Sequence, residues 1–158
     1  MSRASLEEAI PAGAPILLDS STILAYLSGR EAVSAAATVV LDGFVAGGRN
    51  GAVISAVTVT EVLVRPFRAA SESALRAVEA FLGHFPNLTV VPIDFGCARE
   101  AARIRALSAA PTPDAAILAS GRAAGVRVAV ANDARWARVI DLAGLEFELC
   151  HLDAHAGR

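Results

Sequence analysis

Lysine is absent from this sequence of 158 residues, because all 14 basic residues are arginines. Without a side-chain amine the chain cannot form a Schiff base or supply a P-loop lysine. It also cannot provide the lysine that receiver domains and phospho-aspartate enzymes use. Arginine still binds phosphate groups, and it does so through paired hydrogen bonds. The composition therefore excludes amine chemistry and leaves phosphate-directed chemistry open.

Cysteines and membrane signals are also scarce. Cys97 and Cys150 are far apart and fit neither a disulfide framework nor a CxxC zinc or redox pattern. The most apolar window, AVISAVTVTEVLV, is short and contains Glu61, so we expect no membrane span. Residues 1–15 lack the basic-then-apolar layout of a signal peptide. Without these signals we expect a cytoplasmic protein. The net charge of −2 gives no global basic field that would indicate nucleic-acid binding.

Five apolar segments alternate with stretches of helical periodicity. Four of these predicted strands are nearly continuously apolar, as in parallel sheets buried on both faces: 15–19, 51–55, 88–93 and 126–132. The fifth, 145–150, alternates in polarity and suits an edge strand. This order predicts an α/β sandwich with right-handed crossovers and a central, mostly parallel sheet of about five strands. We expect a single domain over 1–158, with a core at about 15–150 and a flexible tail at 151–158.

Start and stop signals define the predicted helices. Apolar residues at helical spacing cover 33–44, and Gly47-Gly48 is expected to end that helix. Ser71 is the expected N-cap of the next helix, and Asp94 opens another. Thr112 is the expected capping hydroxyl of a helix that continues to Gly125.

Acidic residues fall where the strands of such a sheet end. Asp19 ends the first predicted strand, Asp133 follows the fourth, and Glu61 lies about one and a half turns into the helix after the second. Asp114 opens a helix about 18 Å long, and the strand that follows is about 20 Å long. The start of that helix therefore returns to the edge where the strand ends. The sequence predicts that all four acids converge on one edge, where ligands bind in open α/β sheets.

Each acid also has an ordinary structural interpretation. First-turn acids such as Asp114 stabilise the helix dipole, and Asp133 suits a turn or a helix cap. Asp19 is a possible cap, whereas Glu61 interrupts a stretch of buried appearance, where an unpaired carboxylate is costly. Three hydroxyl residues are available to cap the helix after Asp19 instead: Ser20, Ser21 and Thr22.

A shared edge weakens these separate explanations. Two carboxylates about 4 Å apart repel by about 4 kcal/mol at an effective dielectric of 20. Four of them need a cation or raised pKa values. Oxygen ligands without histidine or cysteine favour Mg²⁺ or Mn²⁺ over zinc, and such ions serve phosphoryl chemistry.

Three segments carry a recognisable set of motifs. They are 16–21 with its Asp and hydroxyl pair, 54–63 with its Ser and Glu, and the Pro-Asp helix 113–119 followed by 131–133 and Trp136. Together these segments resemble PIN-domain nucleases, and the size of the chain resembles that of the VapC-type toxins of bacterial toxin–antitoxin pairs. The resemblance covers 15–150. It implies an α/β/α fold and RNA cleavage that depends on Mg²⁺ or Mn²⁺, with water attacking the phosphodiester.

The resemblance also implies roles for individual residues. The metal-binding and catalytic set would be Asp19, Glu61, Asp114 and Asp133. Ser20 or Ser21 would orient a water or a carboxylate, and Asn132 would position the last loop. Three arginines are candidates for the RNA backbone, with ordinary surface positions as the alternative: Arg65, Arg68 and Arg135.

Two positions depart from the family pattern. Ala131 stands where members often have a hydroxyl residue, and Arg135 stands where some carry a further acid. These departures put a second metal ion in doubt.

The leading hypothesis is a toxin with metal-dependent endoribonuclease activity, a VapB-type antitoxin partner and a homodimeric state. The alternative is a weakly active or inactive PIN-fold binding module that acts mainly through a protein partner. A haloacid-dehalogenase-like phosphatase or a receiver domain is excluded, because Asp19-Ser20-Ser21 lacks the second Asp of a DxD motif and lysine is absent.

Overall fold

A five-stranded parallel sheet forms the centre of the computed structural model, which describes residues 3–156. Its strands are β1 (Ile16–Leu18), β2 (Ala52–Ser55), β3 (Leu88–Val91), β4 (Val128–Ala131) and β5 (Glu148–His151). They lie in the order β3-β2-β1-β4-β5, and every neighbouring pair is parallel. The predicted α/β sandwich and its strand number are confirmed. The chain winds outward from β1 in both directions, so β1 and β4 flank the point where a crevice opens at the carboxyl edge.

Helices cover both faces of the sheet. They are α1 (Arg3–Ala9), α2 (Ser20–Ser28), α3 (Ser34–Thr38), α4 (Ala56–Arg68), α5 (Glu72–His84), α6 (Phe95–Ser108), α7 (Thr112–Ala123) and α8 (Arg135–Ala143). A π-helical segment (Val39–Ala46) continues α3, and a 3-10 turn (Leu152–His155) follows β5. No helix within residues 3–156 is long and apolar enough to cross a membrane.

Alternate residues of each central strand face two separate cores. Ile16 and Leu18 pack with α1 to α5, whereas Leu17 packs with α6, α7 and α8. The same alternation holds along β4, where Val130 and Ala131 lie in different cores. Strands buried on both faces explain why these segments are apolar without interruption.

The edge strands differ from the prediction in one respect. β3 was expected to be buried on both faces, but it is the outermost strand on its side and its Thr89 and Val90 are exposed. β5 forms the opposite edge, as its alternating sequence predicts. An apolar strand at an edge cannot be told from a central one by composition, because β-branched residues suit both positions.

Both chain ends contradict the prediction of a core limited to 15–150. Leu6 in α1 and Leu152 in the 3-10 turn are fully buried. The Ser5 hydroxyl lies 2.6 Å from Nδ1 of His155 and links the two ends. The predicted flexible tail is therefore wrong for 151–156, and its last two residues lie outside the described range. Seven residues of α1 with one buried position are too few to show a helical period.

Helix boundaries confirm some of the predicted signals and correct others. Ser71 and Asp94 cap α5 and α6 through hydrogen bonds to backbone N–H groups, as expected. Pro111, not Thr112, is the N-cap of α7, and it makes no side-chain cap bond. The helix predicted over 33–44 changes to π-helical geometry from Val39 and ends before Gly47.

Candidate active site

Asp19 lies directly after β1 and is the N-cap of α2. Its Oδ2 accepts hydrogen bonds from the Ser21 backbone N–H (3.2 Å) and hydroxyl (2.5 Å). The expectation that hydroxyl residues cap this helix and leave Asp19 free is therefore wrong. The Thr22 hydroxyl instead donates to the carbonyl of Val130 in β4 (2.9 Å). Asp19 is only 6% exposed, and this burial raises its pKa while the hydrogen bonds from Ser21 and Ser20 oppose the rise.

Ser20 connects two of the predicted acids. Its hydroxyl donates to Oε2 of Glu61 and lies 3.3 Å from Oδ1 of Asp19. Glu61 is placed by α4, which begins after the N-cap Ser55 and carries the carboxylate in its second turn. The Ser20 hydroxyl therefore links α2 to α4 and holds Glu61 next to Asp19.

Asp114 lies in the first turn of α7, half-buried at the same edge. Burial raises the pKa of its carboxyl, and the negative charges of Asp19, Asp133 and Glu61 add to the rise. The guanidinium of Arg135 opposes it. The returning helix thus brings Asp114 within electrostatic reach of all three other acids.

Asp133 is held by the side chain two residues after it. Arg135 donates from Nε to both carboxylate oxygens (3.0 Å each) and from Nη2 to Oδ2 (2.5 Å). These hydrogen bonds lower the pKa of Asp133, and its partial burial opposes them. Asp133 is not the cap of α8, because Ala134 occupies that position.

Asn132 joins the ends of β1 and β4. Its backbone N–H donates to the Ser21 hydroxyl (3.0 Å). Its side-chain Oδ1 is buried without a hydrogen-bond partner among the described residues, as is the hydroxyl of Thr58 in α4. Such unsatisfied acceptors are rare in native structures. Thr58 is not predictable as a site residue from the sequence, because its only signal is a hydroxyl residue within an apolar helix face.

Arg65 and Arg68 lie exposed in the last turn of α4. They follow Glu61 by one and two turns, on the helix that carries it to the edge. The predicted RNA contacts at these two positions are accessible, whereas Arg135 is engaged with Asp133.

The donor chemistry of this edge is that of a hard cation. It offers carboxylates, serine hydroxyls and the free amide oxygen of Asn132, and such oxygens suit Mg²⁺ or Mn²⁺. Both cysteines are buried as free thiols within the cores. Within residues 3–156, however, no three Asp, Glu, His or Cys side chains are close enough to hold a metal ion as they stand. The four acids therefore share an edge without forming a closed ligand cluster.

Several solved bacterial structures share this fold. VapBC2 from Rickettsia felis, bound to a DNA fragment from its promoter, aligns with a TM-score of 0.64 at 12% identity, over 87% of this chain and 98% of that one. FitAcB from Neisseria gonorrhoeae aligns with a TM-score of 0.63 at 18% identity, over 87% of this chain and 97% of that one. VapC20 from Mycobacterium tuberculosis, a Sarcin-Ricin loop cleaving toxin, aligns with a TM-score of 0.63 at 18% identity. The alignment covers 77% of this chain and 92% of that one. At these identities the likeness shows the fold.

The sheet order and the acidic carboxyl edge define a PIN-type α/β/α fold. The PIN domain family model matches residues 16–142, and the chain belongs to this family. A search of curated proteins finds no match. The family predicted from the three sequence segments is thus confirmed.

Proposed function

We propose that this protein is a metal-dependent endoribonuclease and the toxin of a type II toxin–antitoxin pair. The observation that carries the proposal is the set of acids at the carboxyl edge of the sheet, where the Ser20 hydroxyl contacts both Asp19 and Glu61 and where Asp114 opens α7. Burial and the charges of Asp19, Asp133 and Glu61 raise the pKa of Asp114, in agreement with this arrangement. Perturbed carboxylates at the crevice of an α/β sheet favour catalysis over a structural role. Membership of the PIN domain family supports nuclease chemistry.

Asp19, Glu61, Asp114 and Asp133 are the residues that would hold Mg²⁺ or Mn²⁺. Such an ion binds phosphate oxygens, lowers the pKa of a water molecule and stabilises the leaving oxygen. Ser20 fixes Glu61 by donating to Oε2, so that Oε1 would be available to the ion.

RNA binding is assigned to the rim of the edge. Arg65 and Arg68 are exposed beyond Glu61 and suit phosphate contacts. The net charge of −2 makes this a local attraction and not a global one.

The proposed partners and location follow from the same class of protein. The similar structures include complexes of toxin and antitoxin, and we propose a VapB-type antitoxin and a homodimer for this chain as well. A cytoplasmic location belongs to the same proposal. Co-expression with a candidate antitoxin, followed by size-exclusion chromatography with light scattering, tests both assemblies.

Cleavage of RNA in Mg²⁺ or Mn²⁺, compared with EDTA, tests the proposed activity. A panel of tRNA, messenger RNA and ribosomal RNA that includes the sarcin-ricin loop covers the substrate classes. Asp19→Asn and Asp114→Asn are expected to lower cleavage at least 100-fold, within the loss typical of removed catalytic groups. Asp141→Asn, which removes an exposed acid of α8, is the matched control. Wild-type cleavage that persists in EDTA, or full activity of both site variants, contradicts the proposal.

The second candidate is a weakly active PIN-fold module that acts through its protein partner. The ion pair between Arg135 and Asp133 favours it, because one of the four acids is already neutralised. Calorimetry separates the two functions. Tight antitoxin binding without Mn²⁺ binding supports the module, whereas Mn²⁺ binding together with cleavage supports the nuclease.

A further inference from the structure

Arg135 donates hydrogen bonds to the Asp133 carboxylate from both its side chain and its backbone. Its Nε and Nη2 donate to the carboxylate oxygens as a fork, and its own backbone N–H donates to Oδ1 (2.9 Å). An ionised carboxylate accepts about four hydrogen bonds, so these contacts use the capacity of both oxygens. A divalent cation would have to displace the guanidinium before it could bind Asp133.

The charge of Arg135 also reaches Asp114, where it opposes the rise in pKa that burial and the other acids cause. This positive charge disfavours the approach of a second cation to either carboxylate. Arg135 therefore opposes cation binding both by occupying Asp133 and by its own field.

We propose that Arg135 is an internal counter-cation that keeps Asp133 out of the metal-ligand set and weakens binding of the divalent ion by the remaining acids. This inference rests on the proposed metal site. It narrows the proposed set of four acids to three, because Asp19, Glu61 and Asp114 would then take the ion without Asp133. Arg135 is a positioning residue that acts through Asp133. The fold is insensitive to the pair, because the Arg135 side chain is exposed and exposed ion pairs contribute little to stability.

A double-mutant cycle in Mn²⁺ affinity isolates this effect. Calorimetric titration compares the wild type, Arg135→Gln, Asp133→Asn and the double variant, all as the full chain. We expect Arg135→Gln to tighten Mn²⁺ binding about tenfold, a size typical of coupled charged neighbours. Asp133→Asn alone is expected to change the affinity less than about threefold, whereas the same change in the Arg135→Gln background removes most of the gain.

Arg138→Gln is the matched control, because Arg138 is exposed on the same helix and belongs to none of the ion pairs between residues 3 and 156. It is expected to shift Mn²⁺ affinity by less than about twofold. An equal gain from both arginine variants would overturn the proposal, because a general charge effect would then explain it.

The remaining outcomes separate the inference from the proposed function. If Arg135→Gln leaves Mn²⁺ affinity unchanged, or Asp133→Asn alone weakens it as much as Asp114→Asn does, Arg135 does not exclude Asp133. The proposed metal site then stands and only the inference fails. If none of the four proteins of the cycle binds Mn²⁺, the metal site itself fails. An Arg135→Gln variant that binds Mn²⁺ unchanged but binds RNA more weakly identifies a phosphate contact instead.

Discussion

Substitution of Asp114 by asparagine is expected to stabilise the apo protein while removing its proposed activity. Asp114 is half-buried and faces the negative charges of Asp19, Asp133 and Glu61, which together raise its pKa after the larger effect of burial. An asparagine at the same position keeps the shape and removes the charge. The variant therefore relieves a repulsion that the folded wild type contains and that an unfolded chain does not.

The size of the effect follows from opposing contributions. Unit charges about 8 Å apart interact by about 2 kcal/mol at an effective dielectric of 20, and solvent at this partly exposed site reduces that value. Arg135 already offsets part of the repulsion. The charge also favours the start of α7, where an acid contributes about 0.3–1 kcal/mol. We expect a net gain of about 1 kcal/mol, which corresponds to about 2–4 °C in Tm for a domain of this size.

Thermal unfolding in EDTA and in Mn²⁺ measures this prediction. In EDTA the variant is expected to melt above the wild type. At a Mn²⁺ concentration about 100 times Kd, binding stabilises the wild type by about 2.7 kcal/mol. The variant has lost a ligand, so the order of the two melting temperatures is expected to reverse.

Two results would refute this reasoning. A variant that melts below the wild type in EDTA shows that the charge of Asp114 is favourable in the folded state. Equal stabilisation of both proteins by Mn²⁺ shows that Asp114 holds no ion. Asp141→Asn again serves as the control, since it removes an exposed acid of α8.

The remaining predictions concern pH, packing and substrate. Because the folded-state pKa of Asp114 is raised, the stability advantage of Asp114→Asn should be absent below the ordinary value of 3.8, grow as the pH rises from that value to the raised pKa, and stay constant above it, as followed by urea unfolding. Gly121→Ala should destabilise the protein by about 1 kcal/mol in the same assay. The new Cβ would lie 2.8 Å from Cδ2 of the buried Leu17 and 3.2 Å from Cγ2 of Val126, and the higher helix propensity of alanine, about 1 kcal/mol, offsets only part of this overpacking; no loss would contradict that contact. Arg65→Gln and Arg68→Gln should each weaken RNA binding and reduce the slope of log affinity against log salt by about 1, and an unchanged slope would remove them from the interface.

The fold was largely predictable because its signals are local. Continuous apolar runs identify the central strands, and side-chain caps such as Ser71 and Asp94 fix where helices begin. The exposed edge position of β3 and the packing of Leu6 and Leu152 were not predictable. They depend on which segments become neighbours, and a short segment with one or two apolar residues carries no period from which this can be inferred.

The placement of the acids was predictable to the level of the sheet edge. Matching lengths of helix and strand correctly return the start of α7, with Asp114, to the carboxyl ends of the strands. The partner of each carboxylate was not predictable. The fork from Arg135 to Asp133 and the bond from Ser20 to Glu61 depend on side-chain rotamers, which residue spacing does not determine.

Asp19 is both the N-cap of α2 and one of the acids of the proposed metal site. A cap alone would be served equally well by asparagine or serine, without the cost of burying a carboxylate. The hydrogen bonds from Ser21 and Ser20 favour the ionised form of Asp19 against its burial, and they also fix its orientation at the end of β1. Asp19→Asn should therefore keep α2 capped and leave the fold intact while removing the charge. An inactive but fully folded Asp19→Asn protein is what distinguishes a carboxylate required for its charge from one required only as a cap.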